Sequence, residues 1–98
     1  MPSSPTKRYR SALVIIQCIL EELMKQGQVG AVKSQVYKDL GLKTPVGDKY
    51  IEQLVAAKYI TLIEEAWGKQ RVRHKIYITK RGIHRFKWFM QLSKELEI

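Results

Sequence analysis

K-T-P-V-G-D-K-Y-I-E-Q-L-V-A-A-K-Y-I, residues Lys43 to Ile60, reads as one helix running into a strand. Thr44 is the expected N-cap, Pro45 suits the first helical position because its missing N–H costs nothing there, and Asp48 brings negative charge to the first turn. Val46, Tyr50 or Ile51, Leu54 and Val55 recur at helical spacing, which leaves Lys43, Thr44, Gly47, Lys49 and Gln53 on or near the other face. A short basic and polar face over residues 44–57 suits a major groove, and an ordinary amphipathic surface helix has the same pattern. The flanking segments decide between them.

Upstream, S-A-L-V-I-I-Q-C-I-L-E-E-L-M-K-Q (residues 11–26) predicts a helix that Gly27 ends. Leu13, Ile16, Leu20 and Leu23 make one stripe, and Ala12, Ile15, Cys18 and Ile19 make a second. A helix apolar nearly all round needs cover on more than one side, and in a small domain a second copy of the chain can supply it. Gln28 to Val32 allows a turn or a very short strand. Ser34 is the expected cap of a second helix, S-Q-V-Y-K-D-L, with Val36, Tyr37 and Leu40 on its buried side and Gly41 as its stop. Two short helices joined through a Gly-containing linker form a helix-turn-helix pattern. Lys33 and Ser34, at a helix start, are then placed to hold a DNA phosphate.

Downstream, the alternation predicts a hairpin. Ile60 pairs with Ile78, Leu62 with Ile76 and Ala66 with Val72, which requires a three-residue loop, Gly68-Lys69-Gln70. A two-residue Gly-Lys turn would instead set Lys75 against Leu62 and bury a charge. The chosen register puts Glu65 opposite Arg73 and Trp67 opposite Arg71, with Lys69, Gln70 and Arg71 at the tip. His74 falls on the side of Glu64 and Val72, where a lone histidine reads as a hydrogen-bonded edge residue.

Thr79 is the expected N-cap of a last helix of roughly 27 Å. Ile83, Phe86 and Met90 form a stripe that can close the core. Phe89, Leu92 and Leu96, with Trp88 beside them, form another suited to a symmetry-related helix. Together with Ile15, Cys18 and Ile19 they make the expected dimer interface.

The balance of 18 Lys and Arg against 9 Asp and Glu gives a net charge of +9 and a pI near 9.9. From Ala66 to Lys94 there are nine basic residues and no acidic one. Such clustering favours a polyanionic partner over a mere solubility device. Residues 1–10 are expected to be a disordered arm whose Lys7, Arg8 and Arg10 either follow a DNA backbone or remain solvated. The 98 residues suit one domain, 11–82, extended by a helix over 80–98. No apolar run approaches a membrane span and no cleavage site follows the basic start, so a cytoplasmic, nucleoid-associated protein is expected. The single cysteine, Cys18, leaves no intramolecular disulfide and no thiolate-rich metal site. Two isolated His and no paired acid and base give no catalytic constellation, so no enzyme, metal, cofactor or small-molecule ligand is inferred.

Two stretches, I-E-Q-L-V-A-A-K-Y-I (Ile51 to Ile60) and I-Y-I-T-K-R-G (Ile76 to Gly82), resemble the recognition-helix exit and the Y-x-T-x-x-G junction of the winged helix-turn-helix family. The likeness is to small archaeal and bacterial regulators of the MarR and PadR type and to small archaeal chromatin-associated proteins. It covers nearly all of the chain after Arg10. Lys58 stands where many relatives carry Gly. The resemblance implies a mainly α fold with a small β-hairpin (α+β), a recognition helix in the major groove, and a wing at the minor groove or backbone. It assigns Lys43, Thr44, Lys49, Tyr50 and Gln53 to the helix and Lys69, Gln70, Arg71 and Arg73 to the wing. Three functions remain open at this point: a homodimeric regulator bound to double-stranded DNA, an architectural chromatin protein with little sequence preference, or a protein-interaction subunit that docks through its first and last helices.

Overall fold

A computed structural model describes residues 11–97. Lys7, Arg8 and Arg10 of the expected basic arm lie outside the described residues. The chain runs α1 (Ala12–Gln26), a single 3-10 turn (Gly27–Val29), β1 (Ala31–Val32), α2 (Lys33–Leu40), α3 (Thr44–Ala56), β2 (Ile60–Ala66), β3 (Val72–Ile78) and α4 (Lys80–Leu96). The Ser11 hydroxyl accepts the Val14 N–H at 3.2 Å to open α1, and Gly27 closes it. The short strand at Ala31 joins the hairpin, so the sheet has three antiparallel strands in the order β1-β3-β2.

The core lies where α1 crosses the sheet. Ile15, Ile19, Leu20 and Leu23 of α1 meet Val36 and Tyr37 of α2, Ile51 and Leu54 of α3, and Ile60 and Ile76 of the sheet. Each large aliphatic side chain buried there contributes on the order of 1.5–3 kcal/mol. Tyr59, Phe86 and Phe89 pack on this cluster from the side.

The hairpin register is the expected one, Ile60 to Ile78, Leu62 to Ile76 and Ala66 to Val72. The core, however, reaches only its base. Ile60 and Ile76 are buried, while Leu62, opposite Ile76 but on the edge strand β2, and Val72, further out on the same face, are exposed. Alternation thus reports the face of a strand, and tertiary cover decides how far along it burial extends.

The helix starts differ from expectation. Lys43, not Thr44, occupies the N-cap position of α3, and Gly47 N–H reaches the Lys43 carbonyl at 2.8 Å without a side-chain cap. Asp48 lies beyond the first turn. Val32, not Ser34, precedes α2, again with no side-chain cap, because the chain enters that helix straight from β1. Gly47 was expected to face outward; it is buried, since a Cβ there would stand 2.5 Å from the Tyr37 ring. A glycine within a helix costs up to about 1 kcal/mol relative to alanine, and here, at the end of the first turn, it lets α3 close onto α2.

The two stretches that carry the winged-helix resemblance pack against each other. After α3, Lys58 adopts φ 66°, the left-handed conformation for which glycine is suited. Its carbonyl accepts the Thr79 hydroxyl at 2.7 Å, while the Thr79 oxygen accepts Gly82 N–H at 3.0 Å and caps α4. Thr79 N–H donates to the Tyr59 carbonyl at 3.0 Å, and Arg81 Nε donates to the Ala57 carbonyl at 3.0 Å. The Y-x-T-x-x-G pattern therefore has a mechanical meaning: the threonine ties the end of α3 to the start of α4, and the glycine makes room for the strand between them. Lys58→Gly is expected to raise stability by about 0.5–1 kcal/mol, read as a higher denaturation midpoint at unchanged slope, because it relieves the left-handed side chain.

Candidate nucleic-acid interface

Four of the five residues expected on the reading face of α3, Lys43, Thr44, Lys49 and Gln53, are exposed. Tyr50 is not. It is 8% exposed and belongs to the core cluster, with Lys49 Nζ 5.4 Å from its ring. The buried line of α3 is Gly47, Tyr50, Ile51 and Leu54, so the periodic stripe turns by one residue from the one expected, and Val46 and Val55 point outward instead. The outermost ridge runs Pro45, Lys49, Glu52, Ala56, at helical spacings of four, three and four residues, and all of them are exposed. Glu52 was missed by the sequence reading, which sought cations.

Behind this ridge Asp48 joins α3 to α2. Its Oδ1 accepts the Tyr37 hydroxyl at 2.6 Å and Lys33 Nζ at 3.1 Å. Lys33, expected on a DNA phosphate, is thus committed to Asp48 and also lies 5.7 Å from the Tyr37 ring centroid. Ser34 is exposed beside it in the first turn of α2. The Tyr37 hydrogen bond, then that from Lys33, holds the Asp48 carboxyl below the usual carboxylate range, whereas burial, followed by the bond to Asp48, pushes the Tyr37 hydroxyl upward. A carboxyl depressed in the folded state contributes stability above its unfolded pKa, near 4, and loses it as pH falls through its lower folded value. Asp48→Asn should therefore cost about 1 kcal/mol at neutral pH, a figure kept low by the half-exposed carboxylate. The gap to the wild-type protein should shrink below about pH 4, as read by urea denaturation across that range.

The wing presents a second cationic surface. Trp67 N–H donates to the Arg71 carbonyl at 2.9 Å, closing the loop over Gly68, Lys69 and Gln70, with Gly68 and Gln70 both at positive φ. Lys69, Gln70 and Arg71 are exposed at its tip. Arg71 lies 5.8 Å and Arg73 5.6 Å from the Trp67 ring centroid. Arg73 is further held by Glu65 at 2.7 Å, the cross-strand pair expected from the register, so its charge is largely spent inside the wing. His74 Nε2 stands 3.6 Å from Glu64 on the other face.

The expected dimer residues divide. Ile15 and Ile19 are buried within the chain's own core, so they have no surface to offer a second copy; the two-sided apolarity of α1 is covered in part by the chain itself. Phe89 also packs partly on that core and meets Trp88 edge-on at 5.3 Å. Cys18 and Leu92 are half-buried. Trp88 is 46% and Leu96 59% exposed, and Leu13 and Val14 on α1 are exposed as well. Met90, expected to close the core, is exposed instead, with its sulfur near the Gln17 amide at 3.7 Å. Among the described residues there is no group of His, Cys, Asp and Glu suited to a metal ion, and no helix is long and apolar enough to cross a membrane.

Three helices ahead of a two-stranded wing, with the third helix offering an exposed ridge beside it, define a winged helix-turn-helix fold. The fold is shared with S. aureus MepR in a MepR–DNA complex, at a TM-score of 0.72 and 23% identity over 85% of this chain and 65% of that one. A MepR variant bound to an oligodeoxyribonucleotide matches at a TM-score of 0.71, and smu.1704 from Streptococcus mutans UA159 at 0.73, with 15% identity over 89% of this chain and 82% of that one. The chain spans 59 to 65% of the length of these MepR chains. The sequence matches no protein-family model and no curated protein.

Proposed function

We propose that the protein binds double-stranded DNA as a homodimer and regulates transcription, with α3 in the major groove and the wing on the adjacent minor groove or backbone. The observation that carries this reading is the pairing of two exposed cationic elements, Lys43 and Lys49 on α3 and Lys69 and Arg71 on the wing tip, in a chain of net charge +9. The fold supports it, being that of a protein crystallised on DNA. Thr44, Lys49 and Gln53 face base edges; the wing cations face phosphates. Tyr50 supports α3 from beneath, and Lys33 fixes it through Asp48. The exposed Trp88 and Leu96 of α4 and Leu13 of α1 supply an apolar face for a second copy, which would set two α3 helices on half-sites about 34–36 Å, or a multiple of that, apart.

Fluorescence anisotropy with a labelled random duplex of about 30 base pairs, titrated over a range of salt, tests the reading, together with light scattering at tens of micromolar. Binding with a steep salt slope by a dimer is expected. A monomer that ignores duplex DNA at physiological salt would point instead to a subunit that docks another protein through α1 and α4.

A further inference from the structure

We infer that Glu52 is a specificity-determining residue that admits cytosine, through its exocyclic N4 amino group, and penalises other bases at the position it faces. The inference rests on the DNA-binding reading proposed above. Two carboxylates stand one turn apart on α3, Asp48 and Glu52, in different circumstances. Asp48 is turned toward α2 and neutralised there by Lys33 and the Tyr37 hydroxyl. Glu52 is exposed on the outermost ridge, between Lys49 and Ala56, and no hydrogen bond or ion pair reaches it among the described residues. The one cation at helical spacing from it, Lys49, has its Nζ over the Tyr50 ring.

An unpaired carboxylate on the face of a basic protein that meets DNA opposes every phosphate contact around it. It is repelled by the polyanion, and on entering the groove it loses water. Major-groove base edges offer it few donors in return: the N4 amino group of cytosine is the one paired by geometry with Glu and Asp, guanine N7 and O6 and thymine O4 are all acceptors, and adenine sets its N6 donor beside the N7 acceptor, which repels a carboxylate. Val46, exposed on the same side as Gln53, adds an apolar contact suited to a thymine methyl. A protein that only coated DNA would bind more tightly without this carboxylate. Its presence at the centre of the ridge therefore favours a regulator that reads sequence over an architectural protein.

The test is selection from a randomised duplex library with the wild-type protein, Glu52→Gln and Glu52→Ala, followed by affinity measurements on the selected and random duplexes. Glu52 is exposed, so circular dichroism should show all three equally folded. The wild-type protein should enrich a cytosine at one fixed position of each half-site, and changing that base should cost about tenfold in affinity. Both variants should lose the preference at that position alone and bind random duplex severalfold more tightly. Unchanged selected sites and unchanged random-duplex affinity in the variants would overturn the role of Glu52 and leave DNA binding standing. So would a wild-type protein that binds all sequences alike. Absence of binding by all three proteins to any duplex would overturn the DNA-binding reading and the inference with it.

Discussion

Gly82→Ala is expected to remove a large part of the stability of the domain. A Cβ at Gly82 would meet the carbonyl oxygen of Tyr59, with Ile78 Cγ1 at 2.8 Å on its other side. The obstacle is backbone, which cannot rotate away as a side-chain tip can. That carbonyl also accepts the Thr79 N–H, so moving it breaks the cap region of α4 as well. Overpacking with backbone displacement costs on the order of 3 kcal/mol or more, against a total of about 5–15 kcal/mol for a domain. Thermal unfolding followed by circular dichroism should show a midpoint lowered by well over 10 °C, since 1 kcal/mol shifts a domain of this size by roughly 4–8 °C. An unchanged midpoint would mean that α4 does not sit this close to the strand in solution.

The second large effect is expected on DNA. Lys69→Ala combined with Arg71→Ala removes the two exposed cations of the wing tip while leaving the Arg73–Glu65 pair and the hairpin ladder in place. If each of them neutralises one phosphate, the slope of log K against log salt should become shallower by about 2, and affinity at moderate salt should fall on the order of 10- to 100-fold. Arg73→Ala alone should change the slope far less, because that guanidinium is already paired. Equal salt slopes for the wild-type and doubly substituted proteins would remove the wing from the interface.

The difference between these arginines was legible in the sequence, since it follows from register. Placing Lys75 against Leu62 would bury a charge, which selects the three-residue loop and thereby sets Arg73 on Glu65 and Arg71 on Trp67. Helix order and the Thr79 cap were legible for the same reason, because each depends on residues close in the chain. What could not be read locally was set by distant contacts. Lys33 looked like a phosphate ligand until α3 brought Asp48 to it from fifteen residues away. Tyr50 fits either side of an amphipathic helix on spacing alone, and the close approach that Gly47 permits rotates it inward. The second apolar stripe of α1 suggested a partner, and the chain's own sheet and last helix cover much of it. Glu52 is one acid in a chain of net charge +9, so neither the charge balance nor the helical spacing sets it apart.

The bonds from Thr79 and Arg81 to Lys58, Tyr59 and Ala57 also bear on motion. They clamp the exit of α3 to the root of α4 with three donors drawn from backbone and side chain, so the two helices and the strand between them turn as one stiff corner. A dimer built through the far end of α4 would hold each α3 on a rigid bracket. Any adjustment of the distance between two such helices would then arise from flexing of α4 beyond Ile83 or from rolling of its Trp88 and Leu96 face on a partner, with the corner itself unchanged.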